Sequence, residues 1–317
     1  MKAAQGPRLP PSFAIAVGIF AASTSSILIR FAQIEASSLI IATYRLCFAT
    51  IFLIPFMLRQ PSGAWPDSGR VWWLGILSGF FLAVHFASWI SSLEYTSVAS
   101  SVVFVQTAPL FVAVFSPLFL NEVPSQRAWI GLFIAFSGGV VIAFGDTCTF
   151  QARITCPPVS EILGGSALIG DALALIGGLA GAAYLIIGRE VRSSLELVPY
   201  VSVVYGSAAL MLLTWSIVTG EKMFGYSWIT YGLFLLLALF PQLLAHTTYN
   251  WALKYLPATS VSLSLLGEPL SAALLAWLLL NEAIPMLRIL GGAIVLMGIF
   301  ITVYRNTKRT TRTELRE

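Results

Sequence analysis

Several residues carry chemistry into stretches otherwise built from aliphatic and aromatic side chains. Glu268 lies about halfway along SLLGEPLSAALLAWLLLNE (264–282), between Gly267 and Pro269. A carboxylate at such depth in lipid costs about 2.5 kcal/mol or more, so it should face a bundle interior or water. It could act there as a proton or cation site, or belong to a buried structural ion pair. Arg45, in TYRLCFA (43–49), stands about eight residues into its own apolar run, roughly 12 Å deep at the helical rise. Its side chain could snorkel outward, pair with Glu268, or hold a substrate carboxylate or phosphate through two parallel hydrogen bonds. HFASWISSLEY (85–95) sets His85, Ser88, Trp89 and Ser92 on one helical face, and PQLLAHTTYNWALKY (241–255) does the same for Gln242, His246, Tyr249 and Asn250. The histidines could relay protons near neutrality or simply pack. Trp89, Tyr184, Tyr249 and Trp251 could stack on a substrate or serve as packing aromatics.

The elements that position these residues must be membrane helices. Hydrophobic residues make up 57% of the 317 and charged residues 10%, against about 25% charged in soluble domains. Mean hydropathy is +0.85. The net charge of +4 gathers in the tail between Arg305 and Arg316, with no basic groove for nucleic acid. At about 20 apolar residues per crossing, ten candidate spans emerge: 12–31, 37–58, 71–93, 97–119, 127–145, 167–188, 198–218, 228–252, 258–280 and 285–304. The first is too long for a signal-peptide core and reads as an uncleaved span. Lys2, Arg8, Arg59, Arg70, Arg127, Arg189, Arg192, Lys254 and the five basic tail residues fall on one side, Arg30, Arg153, Lys222 and Arg288 on the other. The positive side is cytoplasmic, so both termini should be cytoplasmic. The break 146–166 then faces out, where Cys148 and Cys156 could pair or remain thiols; Cys47 reads as a small core residue.

Shifted by 160 residues, the sequence matches itself. Pro109 falls on Pro269, Asn121-Glu122 on Asn281-Glu282, Gly131 on Gly291 and Gly138 on Gly298. Apolar bias does not align those residue types together. Five spans per copy is an odd number, so the second copy enters the membrane from the opposite side. The expectation is an all-α membrane protein of ten transmembrane helices in two inverted five-helix repeats. The first repeat is 1–145, followed by an external loop 146–166, the second repeat 167–304 and a basic cytoplasmic tail 305–317. Inverted repeats place a substrate site near the midplane and expose it alternately to each side. Pro109 and Pro269 each remove a helix donor, which makes them, with Gly267, candidate hinges. Asn121-Glu122 and Asn281-Glu282 read as caps of the helices that come after them.

The arginine of TYRLCFA, SLEYTSVASS (92–101) and GEPLSAALLAWLLLNE (267–282), set in ten spans, carry a resemblance to the drug/metabolite transporter superfamily, in its branch with EamA-type repeats. The chain is similar over nearly its whole length, although FAASTSSILIRF (20–31) lacks the tryptophan often found there. The resemblance implies a transporter of small polar metabolites, amino acids included, many members being exporters, with Arg45 and Glu268 as the functional pair.

The reading is thus a secondary transporter, not an enzyme, in the cell (inner) membrane. Its substrate site comprises Arg45, His85, Trp89, Tyr184, His246, Tyr249, Asn250 and Glu268. Its partners are a small-molecule substrate and the lipid bilayer, with proton coupling open and no nucleic acid; it would be a monomer or a dimer. It has no cofactor and no metal: the cysteines lack ligand spacing, and the glycine pairs form no G-x-x-x-x-G-K-[ST] loop. Two rivals remain, a channel or non-transporting receptor, and an intramembrane enzyme. The enzyme would need more than Gly170-Asp171, and H-E-x-x-H is absent.

Overall fold

The computed structural model describes residues 9–96, 98–147, 149–150, 154–156, 158, 165–271, 275 and 286–303. The helices are α1 (Pro11–Ala22), α2 (Ser25–Ala32), α3 (Ser38–Leu58), α4 (Gly69–Tyr95), α5 (Val98–Val105), α6 (Ala108–Phe119) and α7 (Gln126–Thr147). They continue with α8 (Ser166–Arg192), α9 (Leu197–Val218), α10 (Trp228–Leu237), α11 (Thr247–Ala252), α12 (Ala258–Ser264) and α13 (Met286–Val303). A π-helical segment, Ala238–His246, joins α10 to α11, and a 3-10 turn, Leu265–Gly267, comes after α12.

Serines start several of these helices. Ser37, Ser68, Ser125 and Ser227 each accept from the backbone N–H three residues on, at 3.4, 3.3, 3.2 and 3.3 Å, satisfying a donor the helix cannot use itself. Seven helical stretches are long and apolar enough to cross a membrane: Pro11–Ala32, Ser38–Leu58, Gly69–Tyr95, Ser100–Phe119, Ser166–Arg192, Leu197–Val218 and Trp228–Ala252. Gln126–Ile142 and Ile289–Thr302 are shorter apolar helices. The expected ninth span, 258–280, is described only through 271 and at 275; Asn281-Glu282, the tail 305–317 and Cys148 lie outside the described residues.

The loop expected between the halves departs from the all-α expectation in one place. Thr149–Phe150 pairs antiparallel with Ile154–Thr155, β-branched and aromatic residues that suit a short ladder. Cys156 beside it is disulfide-bonded, and Cys47 is a free thiol.

Large apolar side chains face outward, Leu118 at 73% and Trp228 at 90% exposure, whereas Ser78, Gln242 and Asn250 are fully buried. That inversion of the water-soluble pattern fits a lipid surround, in which polar groups collect in the interior. α3 and α9 run antiparallel side by side: Thr43 and Ser216 share a hydrogen bond of 2.9 Å, while Gly206 faces Thr50. α7 and α13 are also antiparallel and approach to backbone contact at two glycine pairs, Gly131 with Gly298 and Gly138 with Gly291. A Cβ at any of the four would stand 2.4–2.7 Å from the partner glycine's carbonyl oxygen. Only glycine permits that approach.

Candidate functional site

Three chain segments are interrupted at the same place. α1 and α2 are separated at Ser23–Thr24, α5 and α6 at Gln106–Thr107, and α12 gives way to the 3-10 turn just before Glu268. Pro109 sits in the first turn of α6, where its missing N–H leaves no gap. Pro269 comes directly after Glu268 as the chain regains helical form. The interruptions are tied together: Ser23 Oγ donates toward Glu268 O at 3.1 Å, and Gln106 Nε2 donates to Leu265 O at 3.4 Å.

Around them lies a cavity lined by Arg45, His85, Trp89, Tyr184, His246, Tyr249, Glu268, Pro109, Ser25 and Gln106, among others. It offers about 80 Å³ to the centres of water molecules. A single ordered water needs about 10–15 Å³ of occupied volume, so the space admits several waters or a small solute.

Arg45 is 1% exposed. Its Nε donates to Gln242 Oε1 at 2.9 Å, one terminal nitrogen donates to Ser25 Oγ at 3.1 Å, and its Cζ lies 3.9 Å over the Phe86 ring. The ion pairs of the described residues are Arg70–Glu190, Arg189–Glu122 and Lys254–Glu196. Arg45 therefore neither snorkels nor pairs with Glu268. The Glu268 carboxylate instead accepts from Tyr249 OH at 3.2 Å.

A belt of rings lines the same cavity. His85 stacks on Trp89 at 6.0 Å and lies 6.4 Å from His246, which is 6.1 Å from Tyr184 and 5.9 Å from Tyr249. Gly181 leaves room for His85, since a Cβ there would stand 2.9 Å from Nδ1. His85 Nδ1 meets Gly177 O at 2.8 Å. A carbonyl only accepts, so Nδ1 carries the proton. Trp89 Nε1 and His246 Nδ1 are buried without a protein partner.

Asn250, by contrast, stands behind the cavity wall. Its amide nitrogen donates to Tyr184 OH at 2.5 Å and to His246 O at 2.9 Å, orienting those residues. Gly267 also lies off the wall, with Ile19 methyls 3.5 Å from where its Cβ would be. Trp251 packs on Tyr255 at 5.0 Å. Ser25, Gln106 and Tyr205 join the site without having been singled out in the sequence. Tyr205 had one available signal: the 160-residue shift sets it on Arg45, and its OH reaches Gln242 O at 3.5 Å.

The two ends of the bundle are held together by different chemistry. Glu122 does not cap the helix after it, which Ser125 begins. Asn121 adopts φ 54°, turning the chain after α6 so that Glu122 N reaches back to Ser116 O at 3.4 Å. Glu122 then accepts from Arg189 Nε at 2.6 Å and from Ala258 N, the first residue of α12, at 3.2 Å. Arg189 also donates to Leu253 O at 2.6 Å, and Lys254 donates to Glu196 at 2.8 Å, which lowers the pKa of that carboxyl. At the opposite end neutral donors hold the acids. Glu35 accepts from Ser227 N and Thr230 Oγ1, both at 2.9 Å, which hold its pKa below the ordinary value. Glu94 accepts from the Ser38 hydroxyl, Glu221 from Ser37 at 2.7 Å, and Asp171 from Thr96 at 2.8 Å.

Apolar helices packed around a largely apolar cavity that carries a buried arginine and a glutamate on its wall define a membrane protein. The chain belongs to the EamA-like transporter family, whose sequence profile matches residues 10–144 and 168–304. It is 22% identical over 279 residues to an "Uncharacterized transporter" of Archaeoglobus fulgidus, covering 88% of this chain and 92% of that one. It is 24% identical to the "Uncharacterized transporter YdfC" of Bacillus subtilis, covering 84% and 82%. An "S-adenosylmethionine uptake transporter" of Rickettsia felis is 25% identical over 138 residues, 44% of this chain and 46% of that one. A solved crystal structure shares the fold with a TM-score of 0.74 at 14% identity, covering 93% of this chain and 97% of its own. Family and relatives are transporters, not enzymes.

Proposed function

We propose that the protein is a secondary transporter moving a small carboxylate-bearing metabolite, with amino acids as first candidates, by alternating access. Arg45 carries this reading. It is a fully buried guanidinium on a cavity wall, and among the described residues it has neutral oxygens and a phenyl face for partners but no ion-paired carboxylate. A buried cation is costly unless compensated, and a ligand's carboxylate completes it. Glu268, on the same wall and tied to Tyr249, offers the opposite charge for a substrate amino group or a proton carried with it. A zwitterion answers both. The Rickettsia relative is named for S-adenosylmethionine, whose amino-acid end carries the same carboxylate and ammonium.

The architecture proposed for this cycle is ten spans in two inverted repeats, 1–145 and 167–304, joined by the external segment 146–166, with the tail 305–317. The two separately matched segments support it. So do Gly131/Gly291 and Gly138/Gly298, sequence equivalents that sit on α7 and α13, helices running in opposite directions. Equivalent helices of inverted halves must do that. The Lys/Arg distribution supports cytoplasmic termini, in keeping with a cell-membrane carrier, and export is the direction the family resemblance suggests. Pro109 and Pro269, at paired helix interruptions beside the cavity, are the proposed hinges.

The test is a ligand-stabilisation screen of purified protein against amino acids, their derivatives and S-adenosylmethionine, since a ligand that binds only the folded state raises its apparent stability. Counterflow in proteoliposomes is then measured for each hit. Arg45→Ala and Glu268→Gln are each expected to abolish counterflow while leaving the folded fraction near wild type. Wild-type rates in both variants, or large unitary currents without counterflow, overturn the proposal.

A further inference from the structure

We propose that Gln242 is a positioning residue that sets charge selectivity: it orients Arg45 through a neutral oxygen and so keeps the guanidinium available to an anionic ligand group. This rests on the reading of Arg45 as the group that holds the substrate carboxylate.

Gln242 is 0% exposed, and its Oε1 takes the Arg45 Nε–H at 2.9 Å. Its own Nε2 is buried with no protein partner. In a dry interior that half-used amide is the odd choice. A carboxylate of the same shape would accept the same hydrogen bond, strand no donor and neutralise the cation; an apolar residue would strand no donor either. The amide alone aligns the guanidinium while leaving its charge uncancelled. Of the five N–H donors of an arginine, one is fixed on Gln242 and one on Ser25 Oγ. The remaining donors on the terminal nitrogens are left for a ligand, and Phe86 closes one face of the plane.

The backbone around Gln242 is built for this placement. It lies in the π-helical segment Ala238–His246, whose wider turn accommodates Pro241, a residue with no N–H to give. Tyr205 holds that turn, with its OH 3.5 Å from Gln242 O and 3.1 Å from Thr247 Oγ1. Arg45 comes from one family-matched segment and Gln242 and Tyr205 from the other. The selectivity of the cation is thus set across the boundary between them.

The experiment compares the twenty L-amino acids with their carboxamides as stabilising ligands of the purified full chain, in wild type, Gln242→Glu and Gln242→Met. Wild type is expected to prefer at least one acid over its amide by about tenfold or more, about 1.4 kcal/mol. Gln242→Glu forms an internal ion pair with Arg45, so acid binding falls at least about tenfold while amide binding changes less than about threefold. A merely structural role would weaken both ligand classes alike. Should Gln242→Glu fail to fold, as judged by its unliganded melting transition, Gln242→Met decides: the acid preference shrinks because Arg45 is no longer held in register. A wild-type acid preference kept intact in the folded variant overturns this inference and leaves the reading of Arg45 standing. Absence of any acid preference in wild type overturns both.

Discussion

Gly138→Ala, set against Gly139→Ala, tests the contact between α7 and α13 with a control one residue away. A Cβ at Gly138 would lie 2.7 Å from Gly291 O, 2.7 Å from Val295 N and 2.9 Å from Val295 Cγ2. Two of those atoms are backbone and cannot rotate aside. Restoring ordinary contact, which begins at 3.4 Å, requires the helices to part by about 0.7 Å, and overpacking of that kind costs about 1–3 kcal/mol. Alanine also returns about 0.8–1.0 kcal/mol of helix propensity over glycine. At Gly139 nothing lies within 4 Å, so only the propensity gain applies. It is common to both variants and cancels in their difference, which isolates the strain at about 1–3 kcal/mol. Reversible unfolding in a lipid bicelle, monitored by steric trapping, measures that difference directly. Gly291→Ala, whose Cβ would meet Gly138 O at 2.7 Å, should behave like Gly138→Ala. The double variant should cost less than the sum, because helices already parted by the first methyl accept the second. If Gly138→Ala and Gly139→Ala agree within about 0.5 kcal/mol, the close approach of α7 and α13 is refuted.

Two further outcomes concern the closures at the ends. Glu122→Gln breaks a pair whose side chains are 23–24% exposed, so the cost should fall between surface and buried limits, about 1–3 kcal/mol. If the Arg189–Glu122 pair restricts access in the proposed cycle, a cysteine replacing Ser262 on the cavity wall should then be labelled by an impermeant thiol reagent at least about tenfold faster from the Arg189 side. An unchanged rate refutes that role for the pair. Glu35→Gln should remove an acid-sensitive component of stability. The folded-state pKa of Glu35 lies below its ordinary 4.5, chiefly through the Ser227 N–H and then Thr230. Its contribution is therefore fully present above 4.5 and lost as pH falls through the lowered folded value. Melting curves of wild type and variant should differ most above pH 4.5 and converge below it; a constant offset refutes the assignment.

The grouping of Arg45, His85, Trp89, His246, Tyr249 and Glu268 around one cavity was legible because lipid makes each polar or titratable residue in an apolar run conspicuous. Two of the three helix interruptions were legible from Pro109 and Pro269, since proline removes a donor wherever it stands, whereas no proline marks the break at Ser23–Thr24. Asn250 was misplaced for a definite reason. Asn250 keeps the α-helical register of His246 and Tyr249, but Tyr184 packs over its amide, whereas Gln242 lies within the π-helical segment Ala238–His246, whose wider turn shifts it out of that register. Gln242 therefore holds Arg45 while Asn250 stands behind Tyr184. Ser25 and Gln106 gave no signal because a hydroxyl or amide in an apolar helix is common, and only the fold decides which of them meets a guanidinium. Glu122 was assigned to the nearest helix in sequence, whereas the turn at Asn121 sends it to Arg189 and Ala258.

That last reassignment bears on how a cycle of alternating access would be biased. α4 runs from Arg70 to Glu94, so its ends mark the two faces of the bundle. At the Arg70 end Arg70–Glu190, Arg189–Glu122 and Lys254–Glu196 are ion pairs. At the Glu94 end hydroxyls and a backbone N–H hold Glu94, Asp171, Glu221 and Glu35. Salt screens charge pairs at partly exposed positions, with a Debye length of about 8 Å at physiological strength, and acts less on hydrogen bonds from neutral donors. Rising ionic strength should then loosen the Arg70 end more than the Glu94 end. Two equal closures would leave the resting state to the substrate alone. In the proposed cycle, one ionic and one neutral end would bias which side opens more readily before any ligand arrives.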